Sequence, residues 1–154
     1  MPHDALTRVL SGLFERAGDS FGMLVLELRA ENIVPLVNRL RIELGFELFL
    51  DVTAVDYPQR TPRFDVVYHF YSRKHNLRIR LKVSVPEDLP VVPTLTGLYG
   101  SARYMEREVH DMYGIGFEGN TDLRPILLYE GFAGHPLRKD YVIDAEQPIV
   151  PYRE

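Results

Sequence analysis

Apolar side chains recur along this chain with two different periods, and the switches between them mark out its elements. Leu6, Val9, Leu10, Leu13, Phe14 and Ala17 fall at helical spacing, with Asp4 placed to cap the first turn and Gly18 to stop the helix. Leu24, Leu26 and Leu28 then alternate with Val25, Glu27 and Arg29, the period of a strand. Helical spacing returns at Ile33, Leu36, Val37, Leu40 and Leu44; Pro35 sits in the first turn, where its missing N–H does little harm, and Gly45 terminates. Three strands are predicted next. Phe46 to Tyr57 is rich in β-branched and aromatic residues. Phe64, Val66, Tyr68 and Phe70 alternate with Asp65, Val67, His69 and Tyr71. Leu77, Ile79, Leu81, Val83 and Val85 alternate with Arg78, Arg80, Lys82 and Ser84, and Lys74-His75-Asn76 suggests a hairpin between these last two. Pro86, Pro90 and Pro93 mark a loop before a third helix over 102–113.

The order α-β-α-β-β-β-α predicts an α+β fold, a two-layer sandwich of helices on a mostly antiparallel sheet, over residues 1–114. Residues 115–154 differ. Glycines 116, 119, 131 and 134 and prolines 125, 136, 148 and 151 break every period, yet Phe117, Leu123, Ile126, Leu127, Leu128, Tyr129, Phe132, Leu137, Tyr141 and Ile149 are too apolar for a solvated tail. Such an extended, irregular C-terminal arm either packs back on its own domain or is completed by another protein. The second is the favoured expectation, with strong hydrogen-exchange protection through Val85 and weak protection across much of the arm.

At 154 residues, 45% of them hydrophobic and 26% charged, the chain is expected to form one globular domain. A net charge of -4 argues against a dedicated nucleic-acid binder. The absence of cysteine excludes disulfides and thiolate-held iron–sulfur clusters. No apolar run approaches the roughly 20 residues of a membrane span, and Met1-Pro2-His3-Asp4 lacks the features of a signal peptide. A cytosolic protein is expected, with membrane association only through partners.

Few motifs carry chemistry. Gly114-Ile115-Gly116-Phe117-Glu118-Gly119 matches the G-x-G-x-x-G pattern, but a dinucleotide site needs the glycines to open a helix, and here a helix precedes them. Histidines 3, 69, 75, 110 and 135 form no metal-binding spacing; His69 and His110 are read as hydrogen-bonded structural residues, and His135 is the least explained. Asp51 and Asp56 should face opposite ways on a strand, and Glu106 and Glu108 diverge on a helix. Helical geometry allows Arg107 with Asp111 and Glu106 with His110, each at i,i+4, beside a stripe of Met105, Val109 and Met112. The basic row Arg78, Arg80, Lys82 is read as a solvated face or as pairing with Asp65.

Several segments together resemble one family. Glu106-Arg107-Glu108-Val109-His110-Asp111-Met112-Tyr113-Gly114-Ile115 is similar to the E-R-E-x-x-D-[M/L]-[F/Y]-G-I signature of the NuoC-type subunit of complex I, the respiratory NADH:quinone oxidoreductase. Phe117-Glu118-Gly119, Asp122-Leu123-Arg124, Ile126-Leu127 and the G-H-P-L-R-K-D-Y segment from Gly134 to Tyr141 continue the likeness. Upstream, the run from Asp51 to Pro58 resembles the family's D-[L/V]-T-A-V-D-Y-P strand, and the loop from Val85 to Asp88 fits as well. Asn120-Thr121, Pro125 and Val142 depart from the usual His-Pro, arginine and proline, all within the arm.

The resemblance implies a subunit that binds no cofactor itself and packs against NuoD-like and NuoB-like subunits near the quinone site, on the cytoplasmic side of the membrane. NADH, FMN, iron–sulfur clusters and quinone would be bound by other subunits. Arg107, Asp111, Asp122, Arg124, His135, Arg138, Lys139 and Asp140 are the expected interface charges, and Phe117, Leu123, Ile126 and Tyr141 the apolar anchors. Arg138→Ala is expected to weaken assembly without unfolding the domain. The alternatives are the same module in a membrane-bound hydrogenase or a ferredoxin-fed relative, a free-standing small-molecule enzyme, or a nucleic-acid-binding module.

Overall fold

The computed structural model describes residues 3–144, 146 and 147, so Ile149 and prolines 148 and 151 lie outside the described residues. The chain runs α1 (His3–Val9), β1 (Arg16–Ser20), β2 (Met23–Leu28), a 3-10 turn (Ala30–Asn32), α2 (Ile33–Ile42), β3 (Leu48–Asp56), β4 (Phe64–Ser72), β5 (Leu77–Val85), β6 (Val91–Pro93), α3 (Ala102–Tyr113) and β7 (Gly116–Glu118).

The first five strands form one sheet in the order β1-β2-β5-β4-β3. Only β2 and β5 pair in parallel, so the sheet is mixed and mostly antiparallel. The alternation in β4 and β5 sends Phe64, Val66, Tyr68, Phe70, Ile79, Leu81, Val83 and Val85 into the core. There they meet Leu6 of α1, the Ile33, Leu36, Val37 and Leu40 stripe of α2, and Ala102 and Val109 of α3. This is the two-layer α+β arrangement the periodicity predicts. No described helix is long and apolar enough to cross a membrane.

Two local expectations fail. The first helix ends at Val9, and Asp4 lies within its first turn rather than before it. Ala17 and Gly18 belong instead to β1, a strand of sequence Arg-Ala-Gly-Asp-Ser with no apolar alternation. Phe21 and Gly22 join β1 to β2 with φ of 54° and 79°, the positive values a two-residue primed turn requires. Asp19 Oδ1 accepts the Gly22 N–H at 2.9 Å and closes that turn.

The proline-rich loop also contains a strand. β6 pairs in parallel with β7, which places Phe117 against Val92 and buries both. The Tyr99 hydroxyl donates to the Phe46 carbonyl at 2.6 Å, and its ring lies 5.5 Å from Phe49 and 5.6 Å from Phe70. These contacts fix the start of α3 against the sheet, so its far end can serve as a platform for the arm.

Candidate functional site

The site is built on α3. Three of its side chains that sequence spacing would pair along the helix find other partners. Glu106 is fully buried; it accepts from the Thr94 hydroxyl at 2.6 Å, the Leu95 N–H at 2.8 Å and the Asn120 amide at 2.9 Å. Burial pushes its carboxyl above the ordinary range, against the pull of those donors. Arg107 donates to the carbonyls of Arg124 at 2.8 Å and Pro125 at 2.7 Å. Asp111 Oδ2 accepts the consecutive N–H groups of Ile126, Leu127 and Leu128 at 2.7, 2.9 and 3.2 Å. Burial alone would raise the Asp111 carboxyl, but the three N–H groups outweigh it and hold it below the usual range. Neither expected i,i+4 pair forms. Backbone groups of the arm have no helical partner and must be satisfied, so they take Arg107 and Asp111, while Glu106 turns to the loop before α3 and to the Asn120 side chain.

The C-terminal end of α3 is capped by the same arm. A helix leaves its last carbonyls without internal partners, and its negative dipole end favours cations. His135 Nδ1 lies 3.0 Å from the Asp111 carbonyl oxygen, the Leu137 N–H donates to the Met112 carbonyl at 3.1 Å, and Arg138 Nε donates to the Tyr113 carbonyl at 2.6 Å. Gly114 follows in the left-handed region with φ of 70°, and a side chain there would strike the His135 ring and the Arg138 guanidinium. The glycines of the G-x-G-x-x-G match therefore close a helix and enter β7. They open no phosphate site.

The final charged segment is also bonded back to the domain. Arg63 is 5% exposed and forms a bidentate pair with Asp56, with both distances 2.8 Å. The same guanidinium meets Asp140 at 3.0 Å and Glu87 at 2.5 Å. The Lys139 N–H donates to Asp56 Oδ2 at 2.8 Å, and the Arg138 guanidinium stacks 5.1 Å from the Phe64 ring centre. The guanidinium of Arg63 holds the Asp56 and Asp140 carboxyls below the usual range, against the opposing effect of burial. Asp122 is likewise engaged, by Arg124 at 2.7 Å and Arg103 at 3.1 Å, with Arg107 at 3.9 Å. Sequence reasoning does not single out Asp56, Arg63 or Glu87 as site residues. A lone arginine between Pro62 and Phe64 gives no sign that a segment near residue 140 will reach it.

Between its charged groups the arm also turns apolar side chains outward. Ile126 is 39% exposed, Leu127 61%, Leu137 49%, Val142 60% and Ile143 95%. Tyr129 packs edge-on against Phe132 at 5.4 Å, and Phe132 stacks on Tyr141 at 6.2 Å. Tyr129 and Phe132, with His110, Leu123, Leu128 and His135, border a cleft of about 170 Å³ between α3 and the arm. Of the four expected anchors, Ile126 is exposed, Leu123 and Tyr141 are half-buried, and Phe117 is 2% exposed within the chain's own core. Phe117 is thus corrected from an interface residue to a core residue, because β7 carries it under α3.

Comparison with known proteins agrees with this architecture. Residues 26–147 match the family described as the respiratory-chain NADH dehydrogenase 30 Kd subunit. The chain is 49% identical over 147 residues to the NADH-quinone oxidoreductase C-subunit 1 of Rhizobium etli, covering 90% of this chain and 73% of that protein. It is 49% identical over 138 residues to the corresponding C-subunit of Rhizobium rhizogenes, covering 88% and 68%. Among solved structures, it is similar to a trypsin-resistant fragment of Nqo5 (TM-score 0.68, 35% identity, 77% of this chain and 98% of that one). It is also similar to a chain of an archaeal membrane-bound sulfane sulfur reductase (TM-score 0.78, 28% identity, 91% and 85%). Sequence and fold therefore converge on one assignment: the chain belongs to the 30 Kd subunit family of respiratory-chain NADH dehydrogenase, as a NuoC-type subunit of complex I.

Proposed function

We propose that the chain is a structural subunit of the peripheral arm of a proton-translocating NADH:quinone oxidoreductase, packing against NuoD-like and NuoB-like subunits near the quinone site. It sits on the cytoplasmic side of the membrane and meets the bilayer only through the complex. Electrons travel through NADH, FMN, iron–sulfur clusters and quinone bound by other chains; this one has no cysteine with which to hold a cluster. Its part is to fix the relative position of those neighbours, with no turnover of its own.

The observation that carries this reading is the exposed ridge of Ile126, Leu127, Leu137, Val142 and Ile143 on an arm whose backbone is bonded to α3 by Asp111 at residues 126–128 and by the Met112 carbonyl at Leu137. Apolar groups fixed outward on a preorganised backbone suit a lasting protein interface, since little ordering cost remains at binding. The expected interface charges Arg138, Lys139 and Asp140 support it from behind, by holding the ridge in place.

Affinity purification of the assembled complex tests the proposal. The double variant Leu127→Asp, Ile143→Asp should leave the chain folded and soluble but free of the other subunits. Recovery of the whole complex at parental yield would refute it. The likeness to the sulfane sulfur reductase chain favours one second reading, the same module in a relative fed by a donor other than NADH. The proteins that purify with the chain separate the two.

A further inference from the structure

The helices cover one face of the sheet, and the other is left open by the described residues. β5 runs down the middle of that open face, with β2 on one side and β4 on the other. Its outward side chains are Arg78, Arg80, Lys82 and Ser84. Val25 and His69 lie beside Arg80 in register, and Glu27 and Val67 beside Lys82. Val25 is 9% and Val67 6% exposed although no helix covers them, as expected where long basic side chains lay their stems over apolar neighbours.

The cations of this row have no carboxylate within ion-pair distance among the described residues. Every acidic group nearby is directed elsewhere. Asp65, expected to pair with the row, is held by Arg60 and accepts from the Ser84 hydroxyl at 2.7 Å. Glu27 turns to Arg16 at 3.6 Å, and Asp51 lies 3.9 Å from His69 Nδ1. Arg80 Nε donates to His69 Nε2 at 2.8 Å, which requires an uncharged ring and fixes the guanidinium in place. Burial, with Arg80 beside it, keeps His69 below its ordinary pKa. At one edge a bulge between Phe49 and Asp51 accompanies an outward Leu50, 38% exposed. Leu50, Met23, His69, Asp51 and the two arginines line a shallow cleft of about 280 Å³.

A strand places its same-face side chains about 6.6 Å apart, so the row is a cationic ladder with the repeat of extended chain. An extended segment with carboxylates at alternate positions has the matching repeat and the opposite charge. A broad anionic surface, membrane or nucleic acid, is a poorer fit, because it would also lie against Glu27, Asp51 and Asp65 on either side of the row, whereas a single extended segment is narrow enough to rest on the row alone.

We propose that this open sheet face docks an extended acidic segment of a neighbouring subunit, with its carboxylates on Arg78, Arg80 and Lys82 and an apolar residue against Leu50 and Met23. The inference rests on the reading of the chain as a subunit of a larger complex, and it concerns a face separate from the ridge.

The chain has three lysines, Lys74, Lys82 and Lys139, which makes amine labelling a direct test. The intact complex and the isolated full chain are acetylated under the same conditions. Labelling of Lys82, measured against the exposed Lys74 of the hairpin, should fall about tenfold in the complex, equivalent to about 1.4 kcal/mol in its exposure. A zero-length carbodiimide should join Lys82 to an aspartate or glutamate of another subunit, and Arg78→Glu with Lys82→Glu should abolish retention of that cross-linked neighbour at raised salt. Equal labelling of Lys82 in the complex and the free chain overturns the proposal. So does protection that vanishes when lipid is removed, which assigns the face to anionic headgroups. If no other subunit purifies with the chain, the reading of it as part of a complex has itself failed.

Discussion

Asp140 of the arm reaches back to Arg63, a guanidinium already held between the sheet and Asp56, and stops 3.0 Å from it. Arg63 is 5% exposed while the Asp140 side chain is 58% exposed, so the two partners should behave differently when removed. Arg63→Met leaves the buried Asp56 without its counter-charge and is expected to cost about 3–5 kcal/mol of global stability in urea unfolding. Asp140→Asn should leave the urea midpoint close to parental. Its effect should be faster tryptic cleavage at Arg138 and Lys139, as the arm lifts.

Acid should loosen the arm before it unfolds the core. Asp56, Asp111 and Asp140 all titrate below the ordinary value of 3.8 in the folded chain. Their stabilisation is complete above that value and is lost as pH falls through their lower folded values. Glu106 acts in the opposite sense: it is raised from 4.5, so the fold loses stability as pH rises through its folded value. The stability of Glu106→Gln relative to the parent should therefore grow as pH rises above the ordinary value of 4.5. Denaturant midpoints of variant and parent, followed from acid below 3.8 up to neutral pH, read both effects.

Removing Asp111 should free the ridge. Asp111→Ala strands three backbone donors at once and is expected to cost about 3 kcal/mol locally. Hydrogen exchange should quicken at Ile126, Leu127 and Leu128, while β4 and β5 keep their protection. Unchanged exchange at those three amides would show that other contacts hold the segment.

Core and ridge residues of the same segment should separate cleanly. Phe117→Ala empties a buried site and is expected to destabilise the whole fold by about 3–5 kcal/mol. Leu127→Ser, at an exposed position, should change stability by about 0.5 kcal/mol or less and act on subunit recovery instead. Thermal unfolding of the free chain and yield of the assembled complex read the two effects.

The elements legible in the sequence are those that local rules determine. Residues 102–113 form α3 as the spacing of Met105, Val109 and Met112 suggests, and β5 alternates as its pattern predicts. β1 is not legible, because it has no apolar face and exists only through pairing with β2 across a turn that places Phe21 at positive φ. β6 is hidden by its prolines and is sustained by β7, which comes after α3.

The candidate site is legible in its residues and not in their direction. Arg107, Asp111, Asp122, Arg138, Lys139 and Asp140 all contribute to the arm's attachment, yet their partners lie in this chain: backbone groups for Arg107, Asp111 and Arg138, arginines for Asp122 and Asp140, and Asp56 for the Lys139 N–H. A sequence motif shows which charges act together. Whether their partners lie in the same chain depends on long-range closure, for which local spacing carries no signal. For the same reason a stretch with no period can still pack in cis. Its order comes from α3's unsatisfied carbonyls rather than from propensity.

The bond from the Lys139 N–H to Asp56 spans 83 positions. During translation at about 5–20 residues per second, Asp56 and Arg63 leave the ribosome about 4–17 s before the groups that will cover them. Their mutual pair keeps both charges satisfied through that interval. The part of the arm that closes over Asp56 and Arg63 therefore takes its place only after the strands that carry them have left the ribosome, so the exposed apolar side chains are the last feature of the chain to be set.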